Sequence, residues 1–205
     1  MGFYSKYILP KLINCTCSVS TVSRQRAKIV PMAKGKVLEI GIGSGLNLPF
    51  YQKDQVKAIW GLEPQGELLS MAREMGETQD IPIRFLQASA EEIPLDKQQF
   101  DTIVITYTLC SIPKAEQALQ EMIRVLKPNG QVLFCEHGAA PDPAVLKWQN
   151  RINPIWKRVG GGCNLNRDIP GLFQAAGFHI PNLQTMYIPG WRPACFNYWG
   201  NAIIK

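Results

Sequence analysis

Val37-Leu38-Glu39-Ile40-Gly41-Ile42-Gly43-Ser44-Gly45 is a short apolar run that ends in three alternating glycines. A run of this length bounded by turn residues reads as a strand buried on both faces, as strands of parallel sheets are. Glycines directly after it let the backbone turn sharply and let a ligand come close to the main chain. Outward from this stretch, Ala58-Ile59-Trp60-Gly61-Leu62 is a second apolar run ending in Glu63, 18 residues after Gly45, with a helix-length segment between the two runs. An acid at the end of that second strand can accept hydrogen bonds from both hydroxyls of a ribose. The alternating spacing departs from the dinucleotide fingerprint, whose third glycine lies three residues beyond the second. A nicotinamide-dependent oxidoreductase is therefore disfavoured.

The rest of the chain continues the alternation. A helix is expected around Gly66–Met75, strands at Ile83–Gln87 and Thr102–Thr106, a helix at Glu116–Leu126 stopped by Pro128-Asn129-Gly130, and a strand at Gln131–Glu136. Strands alternating with helices define an α/β protein with a doubly wound parallel sheet. After Pro141 the pattern changes to a helix containing Pro154, a triple glycine at Gly160–Gly162 that reads as a hinge, a short helix near Ile169–Ala176, and two strands that close as a hairpin. Val145, Trp148, Ile152, Ile155, Trp156 and Val159 recur at helical spacing, with Lys147, Arg151 and Arg158 elsewhere on the wheel. This stripe has two readings: an interfacial helix or lid that meets anionic lipid, or a helix packed on the core.

Composition sets the outer limits. A chain of 205 residues with 46% apolar and 19% charged residues is globular and long enough for one domain without a disulfide or metal staple. Residues 1–36 carry seven basic residues and no acid, residues 37–142 carry eight basic and fifteen acidic, and residues 143–205 carry seven basic against Asp168 alone. The net charge of +6 therefore conceals two basic ends around an acidic middle, a pattern that suits an anionic partner. No stretch approaches the roughly 20 apolar residues of a membrane span, and no secretory leader is expected at the N-terminus, whose aromatics suit a lipid interface or a lid. Six cysteines without Cys-x-x-Cys or metal-ligand spacing read as reduced thiols of a cytoplasmic protein, with no metal expected, and Asn14-Cys15-Thr16 as a chance glycosylation match.

Five segments occur in order at familiar intervals: the opening stretch, Gly61-Leu62-Glu63-Pro64, Ala88-Ser89-Ala90-Glu91-Glu92-Ile93-Pro94, Phe100-Asp101-Thr102-Ile103-Val104, and Arg124-Val125-Leu126-Lys127-Pro128-Asn129-Gly130-Gln131. Over about residues 36–137 the chain resembles the class I S-adenosylmethionine-dependent methyltransferases of the type 11 branch. The resemblance implies a Rossmann-like, mostly parallel sheet with an antiparallel C-terminal strand, S-adenosyl-L-methionine as cofactor and S-adenosyl-L-homocysteine as product. It implies a single domain over 1–205, divided into an N-terminal cap (1–35), a cofactor-binding core (36–137), and a substrate-side lid with closing strands (138–205). By the same resemblance Gly41, Gly43 and Gly45 face the methionine part with Glu39 at the base of their loop, Glu63 holds the ribose, Ser89-Ala90 edges the adenine, and Asn47, Pro64 and Thr106 complete the cofactor side. Many relatives have Asp where Ser89 stands; serine still accepts from the adenine amine but loses a charge-assisted bond.

The segment Cys163-Asn164-Leu165-Asn166-Arg167-Asp168, preceded by Glu136-His137-Gly138 and a Trp-bearing helix, is similar to a narrower group whose animal members are membrane-associated thiol S-methyltransferases. The sulfonium donor is already activated, so the enzyme chiefly aligns nucleophile, methyl carbon and sulfur. A thiol, with an ordinary pKa of about 8.5, needs little help from a base. His137, just beyond the fifth strand, is the expected catalytic side chain, and Tyr107, Cys110, Cys163, Asn164 and Arg167 are expected on the acceptor side. Tyr107-Thr108-Leu109-Cys110 lacks the Asn/Asp-Pro-Pro-aromatic motif of base amino-methyltransferases, and no Pro-Cys pair serves covalent attack on cytosine, so a nucleic acid is not the expected substrate. A thiol or other small hydrophobic or lipid-like acceptor leads, with phospholipid amines and quinone precursors behind it. The basic ends leave a peripheral anionic membrane surface or an acidic substrate as the partner.

Overall fold

A computed structural model describes residues 14–205. The part of the expected cap before residue 14, with its aromatics and with Lys6 and Lys11, lies outside the described residues. After helical residues 14–17, the described chain runs through helix α1 (Ser20–Ile29), β1 (Gly35–Ile40), β2 (Val56–Leu62), α2 (Gly66–Gly76), β3 (Ile83–Leu86), β4 (Phe100–Thr106), α3 (Ala115–Val125) and β5 (Leu126–His137). It continues with α4 (Pro143–Val159), α5 (Ile169–Ala175), β6 (Phe178–Tyr187) and β7 (Phe196–Ile204). The strands form one sheet in the order β3-β2-β1-β4-β5-β7-β6. The pairs among β1 to β5 are parallel, and β7 runs antiparallel to both of its neighbours.

The continuous apolar character of the central strands follows from burial on both faces. Leu38 and Ile40 of β1 and Ile103 and Ile105 of β4 pack with α3 and α5 through Leu119, Met122 and Phe173. Val37 and Val104, on the opposite faces of the same strands, pack with Ile29 of α1 and Leu69 and Ala72 of α2. The chain moves outward from β1 to β3, then returns to β4 on the other side of β1. The carboxyl ends of β1 and β4 are thus where strand order reverses, the crevice in which open α/β sheets bind ligands.

Two segments depart from the sequence reading. The β1–β2 connection contains only a 3-10 turn at Leu48–Phe50, because Gly41, Gly43 and Gly45 all take left-handed φ and Pro49 follows at once. Strand β5 begins at Leu126, ahead of the expected Gln131, since Leu126 already pairs with Phe100 and residues 127–130 bulge out before Gln131 pairs with Thr102.

Helix α4 (Pro143–Val159) carries a polar side chain at the centre of its packed face, flanked by half-buried Val145, Ile152 and Trp156. Its buried residue is Gln149, whose side chain accepts from the Ala140 amide at 2.9 Å and donates to the carbonyls of Gly138, Leu165 and Pro193 at 2.9–3.0 Å. Trp148, Ile155 and Val159 are instead 58%, 68% and 50% exposed. At α5, Asp168 caps the helix by accepting from the Gly171 amide. Replacing Gln149 with alanine strands one amide and three carbonyls in a buried site, so Gln149→Ala should lower the unfolding free energy by about 2–4 kcal/mol. Urea denaturation with an unchanged m-value checks this, and a loss below about 1 kcal/mol would show that α4 is held by other contacts.

Candidate active site

The glycine loop leaves β1 and bends back over its end. Gly41 has φ 65°, and a Cβ there would sit 2.3 Å from Cγ2 of Thr108, so the loop and the segment after β4 meet backbone to side chain. Gly43 has φ 57° and open space where its Cβ would lie, the nearest atom being the Gly41 carbonyl oxygen at 3.9 Å. That space belongs to a cavity of about 320 Å³ at the ends of β1, β2 and β4, within the range of small-molecule sites. Gly41, Gly43, Glu63, Pro64, Ser89, Ala90 and Thr106 border it, together with Arg26 of α1.

Glu63 is buried, and its two carboxylate oxygens accept from the Gly43 amide at 3.2 Å and the Gln65 amide at 3.0 Å. Burial pushes its pKa up, while those two amides pull it down. The carboxylate is fixed to the glycine loop with lone pairs remaining for further donors. Ser89 donates to the Glu91 carboxylate at 2.9 Å and accepts from the Glu91 amide at 3.2 Å, which leaves one lone pair on its oxygen.

Glu39, Gly45 and Asn47 stand behind the cavity wall. Gly45 faces Leu48, Ala72 and Met75, packing the loop against α2. Glu39 accepts from Tyr51 at 2.7 Å and Asn47 at 2.9 Å. Asn47 also donates to Thr106 at 3.0 Å and accepts from Arg26 at 2.9 Å, and Arg26 donates to Thr106 at 2.5 Å. Arg26 is only 6% exposed, and among the described residues its buried Nε has no partner. Burial pushes the Glu39 carboxyl up to about 7 against the opposing pull of Tyr51, Asn47 and Arg26.

A second cavity, of about 520 Å³, adjoins the first, sharing Cys17, Tyr107 and Ser111 as border residues. Its wall includes Cys110, His137, Cys163, Trp156, Ile188 and Leu165, an apolar lining with one imidazole and several thiols. Tyr107 takes a left-handed φ of 52° at the partition, its hydroxyl donating to Asn197 at 2.6 Å. The loop that follows is held by Glu136, fully buried, whose carboxylate accepts from the amides of Thr108 at 2.7 Å and Leu109 at 2.9 Å, and more distantly Cys110 at 3.4 Å. His137 Nε2 lies 3.1 Å from the Cys163 sulfur. A hydrogen bond that keeps the Cys163 proton in place against Cys110, together with burial, pushes the Cys163 thiol up. Asn164 and Arg167, expected toward the acceptor, border neither cavity; both donate to backbone carbonyls instead, Asn164 to Cys110 and Gly162, Arg167 to Leu109 and Ile112.

Sequence reasoning missed Arg26 and Glu136. Arg26 counted only as part of a basic end, and nothing in its neighbours marks it as buried. Glu136 did carry a signal, as the one acid within the apolar stretch Val132–Cys135 and His137.

With this geometry in hand, the likeness to known proteins gains a physical basis. A methyltransferase-domain family matches residues 38–134. Thiol S-methyltransferase TMT1B of Rattus norvegicus is 32% identical over 171 residues, covering 82% of this chain and 70% of that protein. Phosphatidylethanolamine N-methyltransferase of Cereibacter sphaeroides is 32% identical over 138 residues, 63% of this chain and 67% of that protein. The solved YcgJ protein of Bacillus subtilis shares the fold, with a TM-score of 0.68 at 17% identity, covering 96% of this chain and 97% of that one. An enzyme that transfers a methyl group from S-adenosylmethionine is the class these matches define. The chain belongs to the type 11 branch of the class I S-adenosylmethionine-dependent methyltransferases, in the group that contains the thiol S-methyltransferases. Two features fit that cofactor: the open face of Gly43 and the anchored carboxylate of Glu63 on the cavity wall.

Glu63→Ala should weaken S-adenosylhomocysteine binding by about 1.5–3 kcal/mol for each charge-assisted hydrogen bond lost, at least roughly tenfold, by calorimetric titration. Unchanged affinity would remove Glu63 from the site. Glu39 gives a pH prediction. Between its ordinary 4.5 and its folded value of about 7, the folded chain keeps a proton that the unfolded chain has lost, so stability falls as pH rises through that window. Glu39→Gln should flatten this part of the profile of unfolding free energy against pH, and an equal slope in both proteins would place the Glu39 titration elsewhere.

Proposed function

We propose that this enzyme methylates the sulfur of a small apolar thiol. The observation that carries the reading is the apolar cavity of about 520 Å³ adjoining the cofactor cavity at Tyr107, with His137 in its wall. The likeness to thiol S-methyltransferases over 82% of the chain supports it. Bound S-adenosylmethionine supplies a methyl group already activated on a sulfonium.

The chain's own residues then have to bind, orient and exclude water. Glu63 accepts from the ribose hydroxyls, Ser89 and Ala90 edge the adenine, and Gly41 and Gly43 leave room for the methionine part. Arg26, on the same wall, brings a fixed positive charge toward the carboxylate of that part. Tyr107, held in a left-handed backbone by the amide bonds of its neighbours to Glu136, forms the partition across which the acceptor sulfur approaches. His137 promotes loss of the thiol proton. On this reading the donor is bound mainly within residues 36–137, and residues 138–205 share the acceptor side with Tyr107, Cys110 and His137.

The exposed face of α4 supports an anionic lipid surface as the place where apolar thiols are met. Trp148, Ile155 and Val159, with Trp191 from the β6–β7 connection, present apolar area beside Lys147, Arg151, Lys157 and Arg158. Each cation near an anionic surface contributes about 1 kcal/mol.

Incubation with labelled donor and a panel of alkyl and aryl thiols, ethanolamine phospholipids and quinone precursors tests the acceptor. Label in the thiols is expected; label in ethanolamine lipids or quinone precursors alone would overturn the reading. For the surface, Ile155→Asp should cut recovery on anionic vesicles at least tenfold while leaving turnover of a water-soluble thiol intact. Equal recovery of the variant, or of the wild type on neutral vesicles, would rule out this face or its charge preference.

A further inference from the structure

Cys110, His137 and Cys163 are far apart in sequence and come from three different parts of the fold: the loop after β4, the last residue of β5, and the turn after α4. The sheet edge brings one sulfur, one ring nitrogen and one sulfur within 4.8 Å of one another, on the wall of the apolar cavity. Four-coordinate zinc with Zn–S near 2.3 Å and Zn–N near 2.0–2.1 Å separates its ligand atoms by roughly 3.5–3.8 Å. Side-chain adjustments of about an ångström therefore close the cluster around an ion.

The frame around the three donors is already fixed. Asn164 ties the two cysteine segments together, its backbone amide and its side chain both donating to the Cys110 carbonyl at 3.0 and 2.9 Å. Glu136 takes the amides on the other side of Cys110 and is the chain neighbour of His137. Trp156 donates its indole N–H to the Cys163 sulfur at 3.3 Å, the kind of outer hydrogen bond that stabilises a metal-bound thiolate. No carboxylate belongs to the cluster, and two thiolates with one imidazole form a donor set selective for thiophilic ions. Three protein ligands leave a fourth position, as in catalytic rather than structural zinc sites.

We propose that Cys110, His137 and Cys163 bind a zinc ion whose fourth position faces the apolar cavity and takes the acceptor thiol. This rests on the thiol reading above and gives it a route to the nucleophile. The thiol displaces a bound water and releases its proton to solvent as its sulfur joins the metal, since a coordinating thiol is deprotonated outright. Its sulfur then forms the new S–C bond while the C–S bond of the sulfonium breaks, leaving the bonding pair on the neutral thioether of S-adenosylhomocysteine. The methylated product, a neutral thioether and so a poorer ligand than a thiolate, is replaced by water. His137 in this arrangement acts as a ligand.

The test uses the full chain, reduced and chelator-treated, with Co²⁺ as a spectroscopic probe for Zn²⁺. One equivalent should bind with the strong visible bands of tetrahedral cobalt and a near-ultraviolet thiolate charge-transfer band. Cys163→Ser should lose about half of that band and Cys110→Ser/Cys163→Ser all of it, while Cys135→Ser and Cys195→Ser keep it; far-ultraviolet circular dichroism confirms that each is folded. Absence of stoichiometric binding, or a band that survives the double replacement, overturns the site. Titrating in an alkyl thiol should raise the charge-transfer intensity as a third thiolate joins, and an unchanged spectrum overturns the fourth-ligand role. Labelled-methyl product from the zinc-loaded chain is read separately. A thiol that joins the cobalt but is never methylated would sink the thiol reading and leave the metal site standing.

Discussion

The buried guanidinium of Arg26 is the constraint around which the glycine-loop cavity is arranged. A guanidinium does not deprotonate to escape burial, so its charge must be answered within the fold, and one of its nitrogens carries the bonds to Asn47 and Thr106. Its bonds to Asn47 and Thr106, and the bonds from Asn47 and Tyr51 to Glu39, join α1, β1, the glycine loop and β4 in one polar network. Opposite charges within it meet through the amide of Asn47, which serves both at once. Removing any member would leave the others buried and unsatisfied, and such networks respond as units, not as sums of pairs. Helix α1 is therefore part of the wall of the glycine-loop cavity, although it precedes the matched family region, which starts at residue 38.

A second polar anchor organises the other side of the partition. Glu136 gathers the amides of the loop after β4, and that grip accompanies the left-handed backbone of Tyr107, a conformation that costs on the order of 1–3 kcal/mol for a residue with a side chain. One anchor reaches from α1 to the ends of β1 and β4, and the other sits near the end of β5, the next strand in the sheet. The central sheet sets the distance between the cavities, and loops supply the chemistry.

The sequence made local features legible and hid the non-local ones. The strand, the glycine loop and Glu63 could be read because their signal lies within a few residues: apolar runs ending at turn residues. The early start of β5 was hidden by Pro128-Asn129-Gly130, which reads as a break but forms a bulge next to a paired Leu126. The missing helix after β1 was hidden because segment length was weighed and left-handed glycines were not. On α4 the apolar periodicity was real, yet periodicity does not say which face turns inward; only the four hydrogen bonds of Gln149 do. Arg26 was unreadable because one charge on a short helix looks the same buried or solvated. Cys110, His137 and Cys163, well separated along the chain, have no spacing that could announce their meeting.

Helix α4 has a thermal consequence. An element docked wholly by its apolar stripe loosens as water is cooled, since apolar association weakens at low temperature and carries a large heat-capacity change. Helix α4 docks through an amide side chain beside half-buried Val145, Leu146, Ile152 and Trp156, and keeps Trp148, Ile155 and Val159 largely in solvent. Its detachment therefore exposes less nonpolar surface than that of a helix buried along its whole stripe. The heat capacity of that local opening is correspondingly smaller, while the sheet beneath it follows the curved stability of an apolar core.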